Sequence, residues 1–283
     1  MSIRKHLCGV ACVCVEACLT RPKSCGSIRR GTGQVVAIDE GGLVTRGIRT
    51  VMLAGVLIVV SPGVAAAAVR GAPNHKISHS QSTNWSGYAV AGFGPYGTVS
   101  SSWTQPSVDC LTTPTGYSSF WVGLDGDTTG TVEQTGTEAD CSNGSAAYYG
   151  WYEMYPKFPV NYSNPVVPGD SMSASVTYLG SGKFQLVLSD STRAWSQTVT
   201  ARLKSAKRGS AEVIAEAPSS SGGVLPLADF QKVGFASATV DGSLLSASTP
   251  GIDPITMATS SGTIKAQPSA IKSGSFTDTW DHQ

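Results

Sequence analysis

In the run Thr131–Cys141, TVEQTGTEADC, a carboxylate and a carboxamide stand side by side as Glu133 and Gln134. Further acids occur at Asp125 in LDGD, at Glu153 in GWYEMYP, and at Glu212 and Glu216 in SAEVIAEAP. The chain has four histidines, His6, His75, His79 and His282, and none falls between Asn84 and Trp280. A Ser–His or Cys–His nucleophile pair therefore has no place inside that stretch. A His-ligated zinc site is disfavoured for the same reason. No Asp-Thr-Gly or Asp-Ser-Gly triplet is present, and no glycine-rich phosphate loop of the P-loop or dinucleotide type. Hydrolytic chemistry must then come from carboxylates, amides and aromatics: a base to activate water, and an N–H donor to hold a developing oxyanion.

The elements that would position these groups read as strands. The 283 residues include 32 glycines and are only 14% charged, with short alternating runs and little helical periodicity. Such a profile predicts an all-β globular chain. WSGYAVAG (85–92), GTVSSSWTQP (97–106), SSFWVGLDG (118–126), AAYYGWYEMYP (146–156), DSMSASVTYLG (170–180), GKFQLVLSD (182–190) and WSQTVTARLK (195–204) are bounded by turn residues at short spacing. SAEVIAEAP (210–218) is ambiguous between helix and strand, and PLADFQKVGFASATV (226–240) reads as a helical turn followed by a strand. Alternation places Trp121, Gly123 and Asp125 on one face, and Tyr149, Trp151, Glu153 and Tyr155 on one face of their own strand. Glu133 and Gln134 must point to opposite faces. If 210–218 is extended, Glu212, Ile214 and Glu216 point together, and the two acids stand about 13 Å apart, so that only one can closely face Gln134. A face of aromatics, acids and amides makes a plausible binding groove.

VMLAGVLIVV (51–60) follows Arg46 and Arg49 and precedes VAAAAV (64–69). That order of basic flank, apolar core and small-residue exit predicts a signal peptide over 44–68 and hence a secreted protein. Residues 1–43 carry five of the seven cysteines, without histidine at zinc-site spacing, and read as an over-extended gene start. Residues 69–83 read as a short lead-in or propeptide, and 84–283 as the working domain. Beyond residue 68 there are 12 basic and 16 acidic side chains, a net charge of −4. With no basic stripe, nucleic acid is excluded as a partner; no membrane association is expected once the signal is removed, and the chain is expected to be a monomer. Two cysteines remain in that region, Cys110 and Cys141, and an even pair in an exported protein predicts one disulfide.

NWSGYAV, FWVGLDGD, VEQTG, GWYEMYP, PGDSMSASVTY and AEVIAE, read in that order over Asn84 to Ala238, resemble the glutamic peptidase family, the eqolisins. The resemblance implies a concanavalin-like jelly-roll β-sandwich of two antiparallel sheets. It also implies a secreted, acid-active endopeptidase that acts on protein or peptide substrates without metal or cofactor. The catalytic pair it implies is Gln134, from the QTG-type strand, and Glu216, the second acid of the AE-x-x-x-E segment. Substrate-cleft positions carry over to Trp85, Trp121, Asp125, Trp151, Glu153 and Tyr155. The rival reading is a carbohydrate-binding or glycoside-hydrolysing jelly roll using Glu153 and Glu216, which would need its two carboxyls about 5–5.5 Å apart for a retaining mechanism. A third reading is a non-catalytic protein that reuses the groove for binding.

Overall fold

The computed structural model describes residues 81–283, which form eighteen strands and no helix. The first six strands are β1 (Gln81–Ser82), β2 (Trp85–Ala91), β3 (Thr98–Thr104), β4 (Gly116–Leu124), β5 (Val132–Ser142) and β6 (Ser145–Tyr155). They are followed by β7 (Val160–Pro165), β8 (Ser171–Gly180), β9 (Lys183–Asp190), β10 (Trp195–Arg202), β11 (Ser210–Glu216) and β12 (Ser219–Ser220). The last six are β13 (Gly223–Val224), β14 (Lys232–Val240), β15 (Ser243–Leu244), β16 (Ile252–Ala258), β17 (Ile264–Pro268) and β18 (Phe276–Trp280). The divisions expected at 1–43 and 44–68, and most of the 69–83 lead-in, lie outside the described residues. Gln81 and Ser82 are part of the fold, since β1 pairs in parallel with β16.

One ladder runs in the order β10-β9-β8-β3-β14-β18-β17-β16-β2-β11-β4-β5-β6-β7, and every pairing along it is antiparallel. The all-β class is thus as expected, but the layers are halves of a single folded-over ladder rather than separate sheets. Inward-facing residues of one half (Phe120, Val122, Leu124, Val213) join those of the other (Met172, Val176, Phe184, Leu186, Phe235) in one core. At about 1.5–3 kcal/mol per large side chain withdrawn from water, this core is the main stabilising element. Trp103 Nε1 crosses it to donate to Thr137 Oγ1 at 3.1 Å. The two edge strands also meet. Trp195 Nε1 on β10 donates to the Pro165 carbonyl on β7 at 3.0 Å, and Gln197 Nε2 donates to Asn164 Oδ1 at 2.6 Å.

Two local expectations are resolved. SAEVIAE is a fully buried strand, β11, hydrogen-bonded on both sides by β2 and β4; the ladder overrides the helix preference of its Ala and Glu. No helical turn forms at 226–231. There the Ala228 amide goes to the Tyr117 carbonyl and Leu227 bridges the start of β4, so the backbone groups are spent on the sheet. The predicted Cys110–Cys141 disulfide is present and ties the loop before β4 to the end of β5.

Candidate active site

The face of β2, β11, β4, β5 and β6 turned away from the main core gathers most of the candidate site residues. Trp85, Trp121, Trp151, Ile214, Val132 and Ile255 cluster there, with Tyr149 and Tyr155 packed against them. Trp85 and Trp121 meet edge to face, ring centroids 5.0 Å apart. Gln134 and Glu216 lie on this face and are both buried. Glu133 points the other way, in register with Leu124 and Met154. Burial and the neighbouring Asp125 push its carboxyl up to about 9, with the Thr131 hydroxyl pulling the other way, so Glu133 is a neutral acid at and below pH 7.

A two-residue turn sets the register of Gln134. Asn143 and Gly144 both have positive φ, 50° and 77°, the signature of a type I′ hairpin between β5 and β6. Counting back from that turn pairs Gln134 with Glu153. The amide donates through Nε2 to Glu153 Oε2 at 2.6 Å, while no partner reaches Oε1. Glu153 therefore orients Gln134. On the other side of Gln134 the β4 residue is Gly123, with Glu212 of β11 beyond it. A Cβ on Gly123 would stand 2.8 Å from the Trp121 ring and 3.2 Å from Gln134 Cβ.

The Trp121 indole also reaches the other acid. Its Nε1 donates to Glu216 Oε2 at 2.8 Å, and Asn84 Nδ2 donates to Glu216 Oε1 at 3.0 Å. Asn84 is fixed in turn by Ser82, whose hydroxyl donates to Asn84 Oδ1 at 3.1 Å. Each oxygen of Glu216 thus accepts a hydrogen bond, which favours the ionised form. Glu212 has the opposite setting. It is wholly buried, and no bond of normal geometry reaches either oxygen. Burial raises its pKa well above the ordinary value; Ser210 offsets this only partly, and Asp127, Asp125 and Glu133 add to the rise. The register places Glu212 in the row of Gln134, with Glu216 four residues farther along β11 on the same face; burial raises the pKa of Glu212, whereas both oxygens of Glu216 accept hydrogen bonds.

The other predicted residues divide by role. Trp85, Trp151 and Tyr155 line the face, and the indole N–H groups of Trp85 and Trp151 have no acceptor. Asp125 does not open onto the groove. It is fully buried, and its carboxylate accepts from the backbone N–H groups of Lys207, Arg208 and Gly209 and from the hydroxyls of Thr129 and Thr131. Its role is to anchor the rim loops. Two residues of the site carry no role in the sequence alone: Asn84, which opens the NWSGYAV run, and Glu138, which shares the row of Ser119 and Glu216 on the same face. Their parity on β5 and position before β2 were visible, but only the register shows what they stand beside. The two carboxyls of the glycosidase reading are not joined through these hydrogen bonds: Glu153 is instead bound to Gln134, and Glu216 to Trp121 and Asn84.

A glutamine and a glutamate on one aromatic face, with no histidine between Asn84 and Trp280, fit the class of the glutamic peptidases that the sequence resembles. The chain belongs to the Peptidase A4 family, whose profile matches residues 83–280. Aspergillopepsin-2 of Aspergillus niger is 30% identical over 190 residues, 58% of this chain; the chain spans 66% of that relative's length, just under two thirds. Scytalido-glutamic peptidase, solved with a transition-state-analogue inhibitor, superposes with a TM-score of 0.61 at 25% identity, over 70% of this chain and 98% of that one. Aspergilloglutamic peptidase from Aspergillus niger gives a TM-score of 0.52 at 27% identity, covering 59% and 99%.

Proposed function

We propose that this chain is a secreted, acid-active endopeptidase in which Glu216 and Gln134 form the catalytic pair. Glu216 takes a proton from water as the water oxygen attacks the scissile carbonyl carbon. The tetrahedral oxyanion is held by the Gln134 N–H that does not point at Glu153. Glu216 then returns its proton to the leaving nitrogen as the C–N bond breaks, giving a carboxylic acid and an amine. Trp121 and Asn84 act through Glu216, and Glu153 acts through Gln134.

The observation that carries this reading is the contrast between the two acids of β11. Glu216 accepts donors on both oxygens, whereas Glu212 lacks them and burial raises its pKa well above the ordinary value. The presence of a disulfide and of a signal-like run at 44–68 supports export. Peptide substrate is supported by family membership and by the unpartnered donors on an aromatic face.

The test is cleavage of a denatured globular protein across acid pH with pepstatin and EDTA present. Cleavage should occur, should fall by roughly 10²–10³ in kcat with Gln134→Ala, and should be lost with Glu216→Gln, the circular dichroism spectrum being unchanged. No cleavage at any pH removes the peptidase reading, and activity that survives Gln134→Ala reassigns the oxyanion donor.

A further inference from the structure

Beyond the Glu216 end of β11 lies a separate pocket of about 390 Å³, lined by Thr83, Leu225, Pro226, Thr259, Ser260 and Lys265 among others. Two of its walls lead directly from the candidate catalytic residues. Thr83 precedes Asn84, the donor to Glu216 Oε1. The segment carrying Leu225 folds back on the exit of β11, where the Leu225 amide donates to the Pro218 carbonyl at 2.8 Å, two residues past Glu216.

Lys265 gives this pocket its chemistry. It is the one buried cation among the described residues, only 7% exposed. Its ammonium makes a single long hydrogen bond, 3.5 Å to the Thr83 carbonyl, and it forms no ion pair with a described carboxylate. An ammonium has three donors, and burying it beside one weak acceptor is unfavourable unless something else satisfies it. Loss of hydration lowers its pKa from the ordinary lysine value. Lysine is seldom this buried without a partner, whereas a methionine would fill the same space at no electrostatic cost.

We propose that Lys265 makes this pocket a carboxylate subsite for the bound peptide, filled by an acidic side chain within the substrate or by a free C-terminal carboxylate. The proposal rests on the peptidase reading of the adjacent face. A peptide laid along that face past Glu216 runs toward the pocket, and one carboxylate there supplies the acceptor that the ammonium lacks. The contact is charge-assisted, so it weakens as salt rises.

The test is peptide binding, by fluorescence anisotropy at pH 5.5, to protein carrying Glu216→Gln so that bound peptide is not turned over. One peptide series scans Glu through an amidated sequence, a second carries Gln instead, and a third has Gln with a free C-terminus. Carboxyls in these peptides are largely ionised at that pH. One acidic peptide should bind about tenfold tighter than its neutral counterpart. That gain should vanish with Lys265→Met and persist with Lys265→Arg. A gain confined to an internal Glu assigns a side-chain subsite; a gain confined to the free terminus assigns a terminal-carboxylate subsite. Equal binding of acidic and neutral peptides, no binding of any peptide, or an acidic preference that survives Lys265→Met overturns the proposal. If Lys265→Met does not fold, Lys265→Gln keeps a polar tip without the charge and is read the same way. Cleavage of denatured protein by the unaltered chain is measured alongside, so a failed subsite and a failed peptidase reading give different results.

Discussion

At the scale of single residues, environment rather than identity separates the acids of this chain. Glu133, Glu212 and Glu216 are the same side chain, yet burial raises the pKa of two and N–H donors reach both oxygens of the third. The Asn84 donor should matter through pH. A hydrogen bond to the charged form lowers a carboxyl pKa, so Asn84→Ala should move the acid limb of the kcat/KM profile to higher pH. A loss of activity that is uniform across pH would instead mark Asn84 as purely structural. Glu216 could be chosen over Glu212 from the sequence only through the family resemblance, because hydrogen-bond partners that are 95 and 132 residues away in the chain leave no local signal.

At the scale of elements, one hairpin turn decides whether the amide is oriented at all. Asn143 and Gly144 fix the β5–β6 register, and through it the Gln134–Glu153 pair. Inserting one residue into this turn while β5 holds its place against β4 turns every β6 side chain to the opposite face. Activity should then be lost while the far-UV spectrum stays β-rich, as checked by kinetics and circular dichroism on the same sample. Most long strands were legible from alternation between Gly, Pro and Asp punctuation. β7, β16 and β17 were not, because Pro165, Pro254 and Pro268 fall within the strands and interrupt the pattern. β11 was ambiguous because its Ala and Glu favour helix, and only the strands paired on both sides of it override that preference. The faces were readable from parity, but the rows across strands were not, since register is set by turns and loop anchors such as Asp125.

At the scale of the whole molecule, buried carboxyls tie stability to acidity. Glu133 is held to about 9 against an ordinary 4.5, and Asp278, buried and only partly relieved by the Ser86 hydroxyl, is held to about 8 against 3.8. Below the ordinary values both folded and unfolded chains are protonated, so the stability is fully present. Above them the unfolded chain ionises first, and stability falls by about 1.4 kcal/mol per pH unit for each group until the folded-state pKa is passed. The urea midpoint should therefore drop steadily between pH 5 and pH 8. Glu133→Gln, which removes one titration and keeps the volume, should flatten that drop. An equal slope in the variant would show that Glu133 is not buried as an acid.

The clasp between β10 and β7 has a consequence for how copies of this protein coexist. A peptidase takes up chain that can lie extended with its amides and carbonyls unpaired. Here the two outer strands are turned toward each other and joined by Trp195 to Pro165 and Gln197 to Asn164. At this seam the folded molecule thus offers its neighbours little backbone in that form.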